Sequence, residues 1–217
     1  SYRKTIPNEQ EVTKLGISPT ENIIRMERVR YADKVPLVYE VASIPEKWSG
    51  VKNFGMHFMN KAFVKHLLCR ITSHIDQASG KHTTYATYHH PVGKQFEIEH
   101  LWADKFSRHT DEFEQKGDFD RYRNYIGGLI LLPNGTNQSF NSDLYDDKVK
   151  YYLRENTYAQ SLHTDTYTKN PNFINSPAIK EVKFKAYPQL KKDDILERNE
   201  LVQRICEQIW STDFFQN

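Results

Sequence analysis

Cysteine is scarce in this chain: Cys69 and Cys206 are the two thiols in 217 residues. Both thiols sit in apolar helical patterns, where cysteine serves as a small hydrophobe, which argues against a disulfide framework or a cysteine zinc site. Long apolar runs are also missing. Nothing approaches the roughly 18 consecutive apolar residues of a membrane span, and the N-terminus lacks a signal-peptide core. These absences predict a soluble protein of the reducing cytoplasm with no membrane partner. Charge of one sign is scarce too, since 30 Lys and Arg against 28 Asp and Glu leave a net +2. Any nucleic-acid surface must therefore come from local clustering of cations. What the chain does have is core-forming material, with 38% apolar residues, 13 Tyr, 12 Phe and 3 Trp. That suffices for one folded domain with or without a small added module.

Residues 1–47 read as a small α/β-hairpin module. Asn8 can cap a short helix through Glu9, Glu11, Val12 and Leu15, and Gly16 supplies its stop. Asn22 to Tyr31 and Val35 to Ile44 read as strands joined by a tight turn at Ala32-Asp33-Lys34. The segments Leu15-Gly16-Ile17-Ser18-Pro19, Ile24 to Asp33, Val35 to Glu40 and Ser43-Ile44-Pro45 resemble the first half of a UTRA domain, the ligand-sensing module of GntR-type regulators. The resemblance implies a small-molecule pocket lined by Arg28, Arg30 and Glu40, and it breaks near Trp48. The same residues also read as a plain hairpin module that packs an apolar face on the rest of the chain.

Residues 48–217 are expected to be mainly helical. Phe63, Val64, Leu67, Leu68, Ile71 and Ile75 recur at helical spacing from Asn60 to Ala78, with Gly80 as the stop. A second amphipathic helix runs from Asp193 to Trp210 and is expected to pack on the first. His66 and His74 read as structural or solvated. Lys81 to Gly93 reads as a polar connection, and in an extended chain His89 and His90 point to opposite faces, which argues against a shared ion. Arg154 to Pro188 reads as short helices and loops whose aromatics, Tyr158, Tyr167, Phe173, Phe184 and Tyr187, pack under a long connection, with base stacking as the other reading.

The chemistry is concentrated between Phe96 and Tyr152. Gln95 to Trp102 alternates as a strand that places Glu99 and His100 on opposite faces, so a bend at its end is needed to bring both to one centre. Ile126 to Leu132 reads as a buried strand beside it, Asn134-Gly135 as a turn, and Ser142 or Asp143 as the cap of a helix through Lys148 to Leu153. Carboxylate and amide oxygens in this set suit a hard divalent cation better than zinc. The segments Phe96 to Phe106, Tyr122 to Pro133, Asn137 to Phe140 and the later Lys148 resemble the HNH nuclease domain found C-terminally in GmrSD-type, modification-dependent restriction enzymes.

That resemblance implies an α+β fold with a mainly helical domain around a ββα-metal core. It implies a metal-dependent DNA endonuclease with His100 as general base, Glu99 and Asn137 as ligands of Mg2+, with Mn2+ as the alternative, and Asn137 and Lys148 in the catalytic set. The partners it implies are double-stranded DNA, sensed in modified form within the family, and a nucleotide-hydrolysing sensor domain or subunit outside this chain. The middle asparagine of the generic HNH pattern falls on Gly128 here, and Asn124 or a backbone carbonyl is the expected substitute. The chemistry agrees: hydrolysis of a phosphodiester needs a base for water and a cation for the developing charge, and Lys148 can steady a phosphate oxygen. Lys94, Lys105, Arg108, Arg121, Arg123 and Lys150 add cations along the segment, while Asp111, Glu112, Glu114, Asp118 and Asp120 offset them, so a DNA track and a mixed solvated surface both remain open. The alternative function is a ligand-sensing or interaction module with an inactive nuclease-like core.

Overall fold

The computed structural model describes residues 2–32, 35–45, 54–93, 95–139 and 143–210. The chain divides into two compact units, residues 1–52 and 53–217, and the fold is mixed α+β.

The first unit holds strand β1 (Tyr2–Thr5), helix α1 (Glu9–Leu15) and strands β2 (Ile23–Ala32) and β3 (Val35–Pro45). The strands form one antiparallel sheet in the order β1-β2-β3, with a register shift between Arg30 and Tyr31. β1 adds an edge that the sequence pattern did not reveal. Asn8 caps α1 as expected: its Oδ1 accepts from the Glu11 N–H at 2.9 Å, and its own N–H donates to Glu11 Oε2 at 2.8 Å. Gly16 ends the helix at φ 64°, a left-handed position that favours glycine. Arg25 and Ser43 then tie the helix to the sheet through Glu11, at 2.6 Å each. These bonds hold the Glu11 carboxyl well below the usual carboxylate range, at about 2. Arg28 and Glu40 are register partners across β2 and β3, while the side chains of Arg28, Arg30 and Glu40 lie outside the described residues, as do Asp33, Lys34 and Trp48.

The second unit opens with helices α2 (Lys61–Ala78) and α3 (Tyr85–His89), followed by strand β4 (Phe96–His100) and helix α4 (Lys116–Arg123). Strand β5 (Leu129–Pro133) leads directly into helix α5 (Asn134–Ser139). The remainder is helical: α6 (Tyr145–Tyr152), α7 (Thr157–Gln160), α8 (Thr166–Lys169), α9 (Pro171–Asn175), α10 (Pro177–Val182) and α11 (Lys192–Ile209). β4 and β5 pair antiparallel, with His100 opposite Leu129 and Phe96 opposite Pro133. Residues 129–132 of β5 are completely buried, in keeping with their unbroken apolar run. Leu68, Ile71 and Ile75 of α2 and Leu201, Val202 and Ile205 of α11 are also at or near zero exposure, so the two amphipathic faces form the core as their spacing requires.

Three expectations are corrected. Residues Ile126–Gly128 form a single 3-10 turn ahead of β5 and are not part of the strand. The cause lies on α11, where Asn199 Oδ1 accepts the Gly127 N–H at 2.7 Å and Arg198 Nε donates to the Gly127 carbonyl at 2.6 Å. A Cβ at Gly127 would lie 2.5 Å from the Ile195 carbonyl oxygen, so only glycine permits this approach. Second, Asn134-Gly135 begins α5 and is not a free turn; the Asn134 N–H instead closes the strand pair by donating to Gln95 O at 2.8 Å. Third, α6 is entered from Leu144 with no side-chain cap, and Asp146 and Asp147 in its first turn complement the helix dipole. Ser142 lies outside the described residues.

The region from Arg154 to Pro188 is short helices and loops, as read. Tyr158, Phe173 and Tyr187 are buried there, which makes them packing residues. Cys69 and Cys206 are free and buried, and burial pushes both thiols up, to about 11 and about 12. Among the described residues no helix is long and apolar enough to cross a membrane.

Candidate active site

His100 sits at the end of β4, where the Leu101 N–H extends the ladder by donating to the Gly128 carbonyl at 2.9 Å. Its Nε2 lies 3.0 Å from Asn124 Oδ1. The amide orientation of Asn124 is fixed from its other end, because Nδ2 donates to the Asp120 carbonyl at 2.7 Å. An amide oxygen only accepts, so Nε2 carries the hydrogen and Nδ1 keeps the lone pair. Burial pushes the imidazole down to about 4, the Arg123 guanidinium adds to that shift, and the Asn124 bond opposes it. His100 is therefore a neutral base at pH 7, with a defined tautomer.

Glu99 points into a different set of contacts. Glu99 is 5% exposed and Lys148 1% exposed, and the Glu99 carboxylate meets Lys148 Nζ at 2.5 Å. Nζ also donates to the His100 carbonyl at 2.9 Å, so α6 clamps the strand end through one ammonium group. Burial pushes the Glu99 carboxyl up and the Lys148 ammonium down, while their mutual attraction opposes both shifts. Asn137 lies on α5, just past β5, and its side chain is outside the described residues.

Met56, Lys61, Ile98, Glu99, His100, Trp102, Ala103, Arg123 and Lys148 enclose a pocket of about 220 Å³. Glu99 and His100 thus reach one cavity without a bulge, because the pocket wraps the end of a regular strand. Glu99 is the carboxylate among these lining residues, and Lys61 and Arg123 supply positive charge beside it. Arg123 Nε donates to the Trp102 carbonyl at 3.0 Å, which fixes the guanidinium on the pocket wall. Among the described residues no three His, Cys, Asp or Glu side chains are grouped to hold a metal ion. The Glu99 carboxylate is already engaged by Lys148, so any divalent ion there would have to share it.

Sequence reasoning named Asn124 as one substitute for the missing HNH asparagine, and the structure makes it the partner of His100. The reason lies in the backbone. A Cβ at Gly128 would stand 3.0 Å from the Arg123 carbonyl oxygen, so the glycine lets the end of α4 approach and brings Asn124 onto the imidazole. Met56, Lys61 and the wall position of Arg123 were missed. Met56 and Lys61 are more than 30 positions upstream, and no spacing rule reaches them; Arg123 was visible only as one cation of a series.

The second histidine region differs from its sequence reading. His89 ends a helix, and its Nδ1 lies 2.7 Å from His90 Nε2. Its Nε2 lies 3.1 Å from His66 Nε2, and His66 Nδ1 bonds the Tyr85 hydroxyl. The opposite-face argument fails because the backbone is helical there, yet His89 turns a different nitrogen to each neighbour, so the rings do not converge on one ion. His74 bonds Gln208 at 3.1 Å.

The family model described as GmrSD restriction endonucleases, C-terminal domain, matches residues 52–204, and the chain belongs to that family. The UTRA domain model matches residues 1–85. That match runs past Trp48 and overlaps the other through α2, a helix that belongs structurally to the second unit. No curated protein and no solved structure matches the chain. Membership ties the chain to restriction endonucleases, whose substrate is DNA.

Proposed function

We propose that the chain is a metal-dependent DNA endonuclease of the HNH type, with β4, β5 and α6 as its ββα-metal core. The observation that supports this most is His100, a half-buried imidazole with Nε2–H held by Asn124, on the wall of a pocket that also presents Lys61 and Arg123. Nδ1 takes a proton from water as that water attacks the phosphorus, and the phosphodiester bond on the opposite side breaks. Lys61 and Arg123 hold the phosphate oxygens. Glu99 and the Asn137 amide are the proposed ligands of Mg2+ or Mn2+, an ion that supplies charge compensation at the phosphate when bound. Lys148 acts by holding Glu99 and the strand end, since its ammonium group is already committed to both. The proposed setting is cytoplasmic restriction of double-stranded, modified DNA, together with a nucleotide-hydrolysing sensor domain or subunit.

The test is nicking of supercoiled plasmid in Mg2+ by the wild-type chain and by His100→Ala. The expected loss is roughly a thousandfold or more, with the circular dichroism spectrum unchanged. Full activity in the variant sinks the reading.

A second reading rests on the UTRA match over residues 1–85: the first unit senses a small effector and the nuclease-like core is inactive. A phosphosugar that raises the melting temperature, without DNA cleavage under any divalent metal, supports it. Retained nicking after deletion of residues 1–47 makes that unit an accessory.

A further inference from the structure

The segment before α2 carries the most exposed large apolar pair of the second unit's pocket region. Phe58 is 97% exposed and Met59 is 88% exposed, and Phe63, one turn later, is 60% exposed. The pair sits on a single 3-10 turn, Phe58–Asn60, that is closed on itself: Asn60 Oδ1 accepts the His57 N–H at 2.7 Å, and Asn60 Nδ2 donates to the Gly55 carbonyl at 2.9 Å. Its foot is fastened to the site. The Met56 N–H donates to the Asn124 carbonyl at 2.7 Å, Gly55 bridges Tyr125, and the Ile126 N–H donates to the Phe54 carbonyl at 2.9 Å. The residue that orients His100 through its side chain thus holds this turn through its backbone. Met56 and Lys61, on either side of the turn in sequence, both line the catalytic pocket.

Two adjacent large apolar side chains in water on a braced turn call for a covering surface. A protein seated on them would cover the neighbourhood of the pocket that must admit the substrate. Duplex DNA satisfies both features at once, with a phosphate facing Lys61 and Arg123 and an apolar surface between base pairs for the phenyl ring and thioether. Apolar wedges of Phe and Met act in this way when they part a base step and kink the duplex. We propose that Phe58 and Met59 form a wedge that enters a base step of duplex DNA beside the phosphate held in the pocket. The inference rests on the nuclease reading above and adds to it a preference for DNA that unstacks easily at the cut.

The test uses the full chain with Phe58→Ala/Met59→Ala, a change at exposed positions that leaves the core intact. Nicking of a fully paired duplex is expected to fall about tenfold or more, and cutting of the same duplex with a central mismatch bubble by less than about threefold. Phe58→Leu/Met59→Leu is expected to restore most of the activity. In parallel, a duplex with 2-aminopurine at its centre is bound to His100→Ala. Its fluorescence should rise, and the rise should vanish when both tip residues are alanine. Equal losses on paired and bubble substrates, no loss on either, or no rise in fluorescence overturns the wedge. So does a dimer by light scattering that becomes a monomer in the alanine variant, because the patch then joins two copies of the chain. If wild type cuts neither substrate the nuclease reading fails by itself, and the fluorescence arm, which needs no cleavage, still decides for or against the wedge.

Discussion

Two groups of imidazoles stand in the second unit, and their surroundings set them apart. His100 has a single side-chain partner with a fixed amide orientation, lies in a pocket with Lys61 and Arg123, and is held neutral by burial. His66, His89 and His90 bond one another at the surface, with ring centroids 4.1 Å apart for each adjacent pair. The histidine cluster has the outward form of a functional centre, yet its nitrogens serve each other. The lone imidazole keeps a directed lone pair. What sets His100 apart, and supports the proposed role of general base, is the partner of its second nitrogen, an amide oxygen held from its other end.

The largest contrast is expected in the plasmid assay. Alongside the loss expected for His100→Ala, the triple variant His66→Ala/His89→Ala/His90→Ala should stay within about twofold of wild type, since exposed side chains away from the catalytic pocket change little. Comparable losses in both variants would erase the distinction. Stability gives the next largest effect. Lys148→Met leaves the Glu99 carboxylate buried without its cation and is expected to cost about 3–5 kcal/mol in chemical denaturation, whereas Glu99→Leu/Lys148→Met should recover most of that loss. An additive double variant would show that the pair is not coupled.

Asn124→Ala is expected to reduce cleavage by roughly 10- to 100-fold, with a smaller change in KM. It removes the acceptor at Nε2, so the imidazole samples both tautomers and its orientation is no longer fixed. Gly128→Asn in that background is expected not to rescue, because its Cβ meets the Arg123 carbonyl oxygen at 3.0 Å.

Much of this was legible in the sequence. The helical spacing of Leu68, Ile71 and Ile75, the Asn8 cap of α1, and the alternation from Phe96 to His100 are local signals and are seen as read. The Glu99-His100 dipeptide pointed to residues that line the pocket at the end of β4, and the departure at Gly128 to the close approach of α4. The failures share a cause, which is contact from far along the chain. Asn199 and Arg198 convert Ile126–Gly128 from strand to turn from about 70 positions away. His66 meets His89 because α3 is a helix set against α2, and a five-residue helix has too little periodicity to announce itself. Lys148 was legible as a cation near the site but not as a buried one, since its burial depends on α6 packing over the end of β4.

The finest test of the contrast is titration of the imidazoles by NMR. His100 should remain neutral down to about pH 4. Its contribution to stability, on the order of 3 kcal/mol, is fully present above the ordinary imidazole value of about 6.5 and is lost progressively as pH falls from there to about 4, because the unfolded chain takes up the proton first. Cleavage should accordingly be flat with pH from about 6 to 8 if His100 alone limits it. His89 is also held below the ordinary value, by burial first and then by its neighbours His66, His90 and Lys65. In His66→Ala/His90→Ala the His89 titration should move back up while that of His100 stays in place. A His100 resonance that shifts with the cluster would mean that the two groups share one electrostatic environment, and the separation drawn between base and cluster would be lost.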